Sequence, residues 1–259
     1  MEVVLLPTPE DCGRVVAEAV VGSLTAARSA GRPLTLGLAT GSSPLLAYGE
    51  LLAEHRGAFD GVRGFLLDEY VGLPAGHPES YREVIRREFT GALGIEVHGP
   101  DGSAADPLRA AVDYEDRLLG AGPVAVQVLG IGSNGHVGFN EPGSSLSSRT
   151  RVKTLTERTR ADNARFFAGD LDAVPRHVIT QGLGTIGEAA HLVLVATGEA
   201  KAAAVADAVE GPLTASCPGS VLQLHPHVTV VVDEAAGSRL VRAGYYRYVL
   251  AHKLAAQGW

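Results

Sequence analysis

A glycine-rich segment of the chain carries two side chains that could move protons, a histidine and a glutamate, together with an asparagine that could hydrogen-bond to them. Asn134, His136 and Glu141 lie within eight residues in Leu129-Gly130-Ile131-Gly132-Ser133-Asn134-Gly135-His136-Val137-Gly138-Phe139-Asn140-Glu141-Pro142-Gly143. A lone histidine is more often structural than catalytic, but an imidazole and a carboxylate on one loop can form an oriented acid/base pair. The spacing therefore indicates proton-transfer chemistry.

The same segment also satisfies the pattern GxGxxG after a predicted strand, which is found in dinucleotide-binding proteins. That function needs a helix to begin inside the motif, so that the helix N-terminus meets the pyrophosphate. Gly138, Pro142 and Gly143 would break such a helix. We therefore predict a glycine-rich loop and no dinucleotide site.

A carboxylate follows another predicted strand. Asp68 opens the string Asp68-Glu69-Tyr70 directly after the apolar run Gly64-Phe65-Leu66-Leu67. Open α/β sheets bind ligands at the carboxyl ends of their strands, and a partly desolvated carboxylate there can act as a general base. Taken alone, however, the segment is better explained by a turn in which Asp68 caps the next element than by a catalytic base.

One turn could hold an anion. Thr40-Gly41-Ser42-Ser43-Pro44 follows a predicted strand and precedes a predicted helix. Backbone amides and hydroxyls at such a turn suit a phosphate. An ordinary turn with Ser43 as the helix cap fits the segment equally well.

Lys201 and Arg165 are candidate cations for the same anion. The chain has 3 Lys against 19 Arg, so general abundance does not explain Lys201. Lys201 lies at the start of a predicted helix whose dipole repels a cation, and a bound anion would remove that repulsion. For Arg165, a place on a solvated helix face is the commoner case.

Composition limits the classes of function. The chain has 259 residues, 22 Lys and Arg against 29 Asp and Glu, a net charge of −7 and 46% hydrophobic residues. These values fit one large globular domain or two small ones, and because the sequence has no linker or internal repeat we predict one domain over residues 1–259. No basic stripe indicates a nucleic-acid partner, and the apolar runs are too short to span a bilayer. Met1-Glu2 does not provide the positively charged start of a signal peptide, so we expect a cytoplasmic protein. Cys12 and Cys217 do not have the spacing of metal ligands, so we expect no metal site.

Short apolar runs alternate with helical patterns, which is typical of a parallel sheet covered on both faces. Strands are predicted at residues 3–6, 34–39, 65–67, 124–129, 177–180, 192–196 and 228–232. Helices are predicted to start at Thr8-Pro9, at the capping box Ser80-Tyr81-Arg82-Glu83 and at Asp106-Pro107. The helix that starts at Asp106-Pro107 is predicted to end at Gly120, and a final helix is predicted over residues 238–256. This order predicts an α/β fold: a single-domain, doubly wound, Rossmann-like and mostly parallel sheet with helices on both faces.

Several strings, in their order and spacing, resemble the glucosamine-6-phosphate deaminase family, which is related to the 6-phosphogluconolactonases. The resemblance covers nearly the whole chain. The strings are Leu67-Asp68-Glu69-Tyr70-Val71-Gly72-Leu73, His77-Pro78-Glu79-Ser80-Tyr81, Gly135-His136-Val137-Gly138-Phe139-Asn140-Glu141-Pro142, Ser147-Ser148-Arg149-Thr150-Arg151-Val152-Lys153-Thr154-Leu155 and Leu222-Gln223-Leu224-His225-Pro226.

The resemblance implies an enzyme that converts glucosamine 6-phosphate into fructose 6-phosphate and ammonia in amino-sugar catabolism, without a metal or other cofactor. It implies Asp68 as the base between C2 and C1, His136 as the residue that opens the ring, and Glu141 as its positioning partner. The implied phosphate site consists of Thr40, Gly41, Ser42, Ser43, Arg165 and Lys201. Many relatives have aspartate at the position of Asn134, which can orient His136 by a hydrogen bond but cannot form an ion pair with it.

The sequence leaves assembly and regulation open. Some members of the family are hexamers activated by N-acetylglucosamine 6-phosphate near a segment like residues 144–154, and others are monomers. Ser144, Arg151 and Lys153 are the candidates for such a second site. Arg151 and Lys153 occupy alternate positions of a predicted strand and share one face, although paired cations are also common on a solvated strand edge.

Two other functions fit parts of the pattern. A 6-phosphogluconolactonase resembles the family in fold, phosphate loop and histidine segment, but the string Phe139-Asn140-Glu141-Pro142 resembles the deaminases. A sugar-phosphate sensor has no need of Asp68, His136 and Glu141 together, and we find no helix-turn-helix pattern. The deaminase is therefore favoured, a lactonase or another sugar-phosphate isomerase comes second, and the sensor third.

Overall fold

The elements follow the predicted alternation of strands and helices. The computed structural model describes residues 1–254 and 257–259. Its strands are β1 (Glu2–Leu6), β2 (Thr35–Leu38), β3 (Arg63–Leu66), β4 (Asp68–Tyr70), β5 (Glu96–His98), β6 (Val126–Leu129), β7 (Arg151–Thr154), β8 (His177–Thr180), β9 (Leu192–Ala196) and β10 (Val228–Asp233). Its α-helices are α1 (Pro9–Ser29), α2 (Ser42–Glu54), α3 (Tyr81–Glu88), α4 (Pro107–Ala121), α5 (Glu157–Asn163), α6 (Leu183–Ile186), α7 (Ala202–Val209) and α8 (Ala243–Ala251).

Seven parallel strands form the larger sheet, in the order β1-β10-β9-β6-β2-β3-β5. Both of its faces are buried, because successive strand residues point in opposite directions. Val230 and Val232 of β10 join a core shared with α4, α6 and α7. Val231 joins a second core shared with α1 and α2. The predicted doubly wound, mostly parallel α/β fold is confirmed.

Three strands form a second, smaller sheet, in which β8 pairs with β4 and β7 in antiparallel fashion. The sequence predicted β8 as a strand but did not separate it from the parallel sheet. Only Leu67 lies between β3 and β4, so the chain passes directly from the large sheet into the small one. Asp68 and Arg151 both pair with Thr180, and the three residues therefore form one row across the small sheet.

Two predicted helix starts are confirmed by their caps. The Thr8 side chain accepts the first-turn N–H of Asp11 in α1, and the Asp106 side chain caps α4. Such caps satisfy backbone donors that have no partner inside the helix. Helix α4 runs one residue past Gly120, and Gly122 follows with a φ of 80°.

The last helix is shorter than predicted. Helix α8 begins at Ala243 rather than at Ser238, and it ends at Ala251. The predicted end at Ala256 lies outside the described residues. In residues 1–254 and 257–259, no helix has the length and hydropathy needed to cross a membrane. Cys12 and Cys217 are both buried, free thiols.

Candidate active site

Most of the predicted site residues follow four adjacent strands of the large sheet, whereas Arg165 lies in the turn after α5 and Arg151 and Lys153 lie in β7. In the order β9-β6-β2-β3, each strand is followed by one of the segments that the sequence analysis singled out. The carboxyl ends of parallel strands lie at one edge of the sheet, where open α/β folds bind their ligands. The topology therefore gathers loops that are far apart along the chain.

Asp68 is the first residue of β4 and its side chain is buried, with 6% of its surface exposed. Burial, and secondly the neighbouring charge of Glu69, raises the pKa of Asp68 well above its usual range. Its Oδ2 lies 3.4 Å from the point where a Cβ on Gly138 would stand, so the carboxylate faces the histidine loop. A buried carboxylate with a raised pKa can accept and return a proton.

Glu69, not Asp68, caps the element that follows. Its carboxylate accepts the backbone N–H groups of Tyr81 and Arg82 at 3.0 Å and the Ser80 hydroxyl at 2.7 Å, at the start of α3. Ser80 makes no side-chain cap of its own, so the predicted capping box is wrong. The alternative in which Asp68 is a capping aspartate is also wrong, and Asp68 is left free for chemistry.

The histidine segment forms a loop without a helix, as predicted. Between β6 and β7 the described backbone contains turns and one isolated bridge, and the next helix starts at Glu157. The imidazole of His136 occupies the space beside Gly132: a Cβ there would stand 2.2 Å from a ring carbon. Glycine at this position is therefore needed for packing the histidine.

Glu141 stands next to His136. The distance from His136 Nδ1 to Glu141 Oε2 is 3.7 Å, and Nδ1 is buried with no hydrogen-bond partner among the described residues. A direct hydrogen bond needs a shorter separation. The two groups are therefore within ion-pair distance but are not directly hydrogen bonded.

The carboxylate of Glu141 is held by donors on both oxygens. Asn134 Nδ2 donates to Oε2 at 2.7 Å, and the Thr159 hydroxyl donates to Oε1. Burial opposes ionisation of Glu141, but the neighbouring His136 and the hydrogen bonds from Thr159 and Asn134 outweigh it and lower the pKa of Glu141 to about 2. Glu141 is therefore a fixed anion over the whole neutral range.

Asn134 acts on His136 differently from the prediction. Its side-chain amide donates to Glu141, while its Oδ1 accepts the backbone N–H of His136 at 3.2 Å. The predicted hydrogen bond between Asn134 and His136 is therefore present, but it is made to the backbone N–H of His136. Because an amide has both a donor and an acceptor, Asn134 can hold the turn and the carboxylate at once.

The turn after β2 has the geometry expected of an anion site. Gly41 has a φ of 116°, which favours glycine, and α2 begins at the next residue without a side-chain cap. The predicted alternative with Ser43 as the cap is wrong. The Ser43 hydroxyl instead lies 2.9 Å from the Thr197 hydroxyl, which joins this turn to the segment that leads to Lys201.

Lys201 and Arg165 lie close enough to repel each other. Burial first, and then the positive charge of Arg165, lowers the pKa of Lys201, while Asp162 opposes the change. Lys201 is the last residue of a 3₁₀ turn and directly precedes α7, as predicted, and Arg165 lies in the turn Ala164–Phe166. The turn after α5 and the start of α7 thus bring two cations near each other.

The three candidates for a second anion site are less clearly grouped. Arg151 donates to Asn140 Oδ1 at 2.9 Å and to the carbonyl of Arg149 at 3.2 Å. Lys153 follows two residues later in β7, which confirms the predicted strand. The buried hydroxyl of Ser144 has no hydrogen-bond partner among the described residues.

Comparison with known proteins assigns the chain to a family. Residues 7–231 match the family described as glucosamine-6-phosphate isomerases/6-phosphogluconolactonase. The chain belongs to this family. It is 58% identical to the glucosamine-6-phosphate deaminase of Streptomyces coelicolor, with all of both chains covered, and 56% identical to that of Rhodococcus opacus, with 98% of each covered.

Solved structures of glucosamine-6-phosphate isomerase/6-phosphogluconolactonase type have similar folds. A monomeric glucosamine-6-phosphate deaminase superposes with a TM-score of 0.86 and 36% identity, over 92% of this chain and 100% of that chain. The 6-phosphogluconolactonase from Trypanosoma cruzi superposes with a TM-score of 0.75 and 21% identity, over 93% of this chain and 97% of that chain. The second likeness shows the fold alone.

Two contributors to this site were missed in the sequence. Thr159 donates to Glu141, and Asn140 is fully buried and holds the loop by donating to the carbonyls of Val137 and Gln181. Thr156, Glu157 and Thr159 form a recognisable helix start, but nothing in that string points to a carboxylate 18 residues earlier. Only the tertiary structure shows these contacts.

Proposed function

We propose that this chain catalyses the isomerisation and hydrolytic deamination of glucosamine 6-phosphate, giving fructose 6-phosphate and ammonia. One observation carries the proposal: the buried Asp68 faces the same loop that holds His136 against an ionised Glu141. The names of relatives that are 56–58% identical over the whole chain support the same reaction.

Binding of the phosphate group would orient the sugar in the site. Amides at the start of α2 and the hydroxyls of Thr40, Ser42 and Ser43 would bind its oxygens, with Gly41 allowing the turn. Lys201 and Arg165 would supply the positive charge, and their mutual repulsion would be relieved by the dianion. Fixing the substrate this way places its reacting carbons against the acid/base groups.

Ring opening is the task of His136. With Nδ1 directed at Glu141, the other ring nitrogen is left for the substrate. The imidazole takes the proton of the C1 hydroxyl and returns a proton to the ring oxygen as the bond between C1 and that oxygen breaks. The products of this step are the C1 aldehyde and a free C5 hydroxyl.

Asp68 then moves a proton between carbons. It removes the proton at C2 while the C1 carbonyl oxygen takes a proton from water and becomes a hydroxyl, which leaves a C1–C2 enol and a hydroxide ion. Asp68 then returns its proton to C1 as the nitrogen lone pair forms a C2 iminium ion. The hydroxide adds to C2, and ammonia leaves as the proton of that new hydroxyl passes to the departing nitrogen, which yields the ketone. The raised pKa of Asp68 suits a group that must both take and release a proton near neutral pH.

Lactone hydrolysis is the competing reaction within the family. Opening 6-phosphogluconolactone needs an activated water but no removal of a proton from C2. A buried base at the position of Asp68 would therefore have no role in that reaction. The lactonase structures are about 21% identical to this chain and support only the fold. The placement of Asp68 therefore favours the deaminase.

The test is a panel of hexosamine phosphates, with 6-phosphogluconolactone added as the competing substrate. We expect ammonia and fructose 6-phosphate in equal amounts from glucosamine 6-phosphate, with no added metal or nucleotide and no inhibition by chelators. Fast lactone hydrolysis with no ammonia from any amino sugar would overturn the proposal and leave the fold unaffected. We expect the reaction to take place in the cytoplasm.

A further inference from the structure

A chain of hydroxyl groups leads from the start of α5 to the acid/base loop. The Thr156 hydroxyl donates to the Thr159 hydroxyl over 2.9 Å, and the Thr159 hydroxyl donates to Glu141 Oε1. Thr159 is buried, with 5% of its surface exposed. This contact joins two segments that are otherwise separated by β7.

The direction of these hydrogen bonds is fixed by the partners. Thr156 Oγ1 already accepts the backbone N–H of Thr159 at 3.1 Å, as the cap of α5, so its own hydrogen is free to be donated. The ionised Glu141 carboxylate can only accept, so Thr159 gives its single hydrogen to Glu141 and accepts from Thr156. A hydroxyl that accepts one hydrogen bond donates the next more strongly.

Two donors on two oxygens fix the plane of the Glu141 carboxylate. Asn134 Nδ2 holds Oε2 at 2.7 Å, and Thr159 holds Oε1. Without the second donor, the group could rotate about its last bond and carry Oε2 away from His136 Nδ1, which lies 3.7 Å distant. Both donors also favour the ionised form of Glu141, because a carboxylate accepts at both oxygens.

We infer that Thr159 is a positioning residue for the reaction, since its hydroxyl holds Glu141 in the orientation that aligns His136. The inference rests on the proposed function. The same short segment carries Asn163, which donates to the Tyr70 hydroxyl at 2.8 Å, and ends in the turn that carries Arg165. The segment that places a phosphate-binding cation thus also fixes the acid/base pair.

The experiment compares Thr159→Val, which keeps the shape and loses the donor, with Thr159→Ser, which keeps the donor. Thr185→Val is the matched control, because the buried Thr185 hydroxyl also donates to a carboxylate, that of Glu115, at 3.0 Å. A hydrogen bond to a charged group is worth enough for Thr159→Val to lower kcat roughly tenfold to a hundredfold. Thr159→Ser should restore most of that loss, and Thr185→Val should leave kcat unchanged.

Two readouts separate positioning from a merely structural role. KM for glucosamine 6-phosphate, and the inhibition constant of its acyclic alditol, should stay the same in Thr159→Val. Carbon-13 NMR titration of the Glu141 carboxyl, assigned by its loss in Glu141→Gln, should show a higher pKa in Thr159→Val than in the wild type. An unchanged kcat, an equal loss in the serine variant, or a raised KM at constant kcat would overturn the inference.

Failure of the inference can be distinguished from failure of the proposed function. If the wild type releases no ammonia from glucosamine 6-phosphate, the proposed function fails. If it does so and Thr159→Val behaves like the wild type in kcat and in the NMR titration, only the role of Thr159 fails.

Discussion

The acid/base region and the phosphate region of this site are built in opposite ways. Asp68 and Glu141 are buried, and Glu141 has hydrogen bonds on both oxygens before any substrate is present. Arg165 is exposed and Lys201 is partly buried, and the charge of one disfavours the charge of the other. The carboxylate of Glu141 is thus held by protein donors, whereas the two cations of the second region disfavour each other's charge.

This difference follows from the task of each region. Proton transfer needs groups whose orientation and charge are set in advance, since reorganisation during the reaction costs rate. Phosphate binding gains most when two unneutralised cations meet an anion. Substitutions in the first region should therefore act on kcat, and those in the second on KM.

The largest expected effect is that of Asp68→Asn. The amide keeps the shape and loses the base, so kcat should fall on the order of a hundredfold to ten-thousandfold with little change in KM. Exchange of the C2 hydrogen with solvent deuterium should disappear as well. Retained exchange would identify another residue as the base and would break the contrast between the two regions.

The pH profile of the wild type adds to this test. Asp68 must be ionised to act, and its pKa is raised by burial and by Glu69, so kcat should fall with decreasing pH well above the ordinary aspartate range. Ionising an acid with a raised folded-state pKa lowers stability above the unfolded-state pKa. Thermal unfolding of Asp68→Asn at neutral pH should therefore occur at no lower temperature than in the wild type.

Glu141→Gln should have the next largest effect, and it should depend on the form of the substrate. Turnover of the cyclic sugar should fall at least about tenfold, because the imidazole loses its anionic partner. Turnover of a substrate supplied in open-chain form should fall much less, since Asp68 is intact. Equal losses with both forms would show that Glu141 supports the loop or the later steps.

Lys201→Ala should raise KM for glucosamine 6-phosphate by roughly tenfold to a hundredfold, as expected for one charge-assisted hydrogen bond. Slow use of unphosphorylated glucosamine should hardly change. Lys253→Ala is the matched control, because Lys253 pairs with Glu2 at the other end of the chain. A lower kcat with unchanged KM would place Lys201 in the acid/base region instead.

The smallest effect is expected at the second anion site proposed for Ser144, Arg151 and Lys153, because Arg151 already has hydrogen-bond partners. If this site binds N-acetylglucosamine 6-phosphate, the protein should sediment as a hexamer, and the ligand should turn a sigmoidal rate curve hyperbolic. A monomer with a hyperbolic curve and no response to the ligand would contradict the proposal.

The sequence by itself determined most strands of the parallel sheet, the lack of a helix in the histidine loop and the family, but it did not predict β4 or β5. Continuous valine runs such as residues 228–232 need burial on both faces, and Thr8 and Asp106 cap helices through contacts within a few residues. Gly138, Pro142 and Gly143 excluded a helix for local steric reasons. That residues 1–259 form one domain stays a prediction.

Only the tertiary structure decided which groups meet. The cap of α3 comes from Glu69, which is 11 residues from Ser80, and the donor to Glu141 Oε1 is Thr159, which is 18 residues from Glu141. The small sheet, with Asp68 and Arg151 in one row, was also beyond local patterns. Propensity and capping act over one or two turns, whereas these contacts depend on how the loops pack after the sheet has formed.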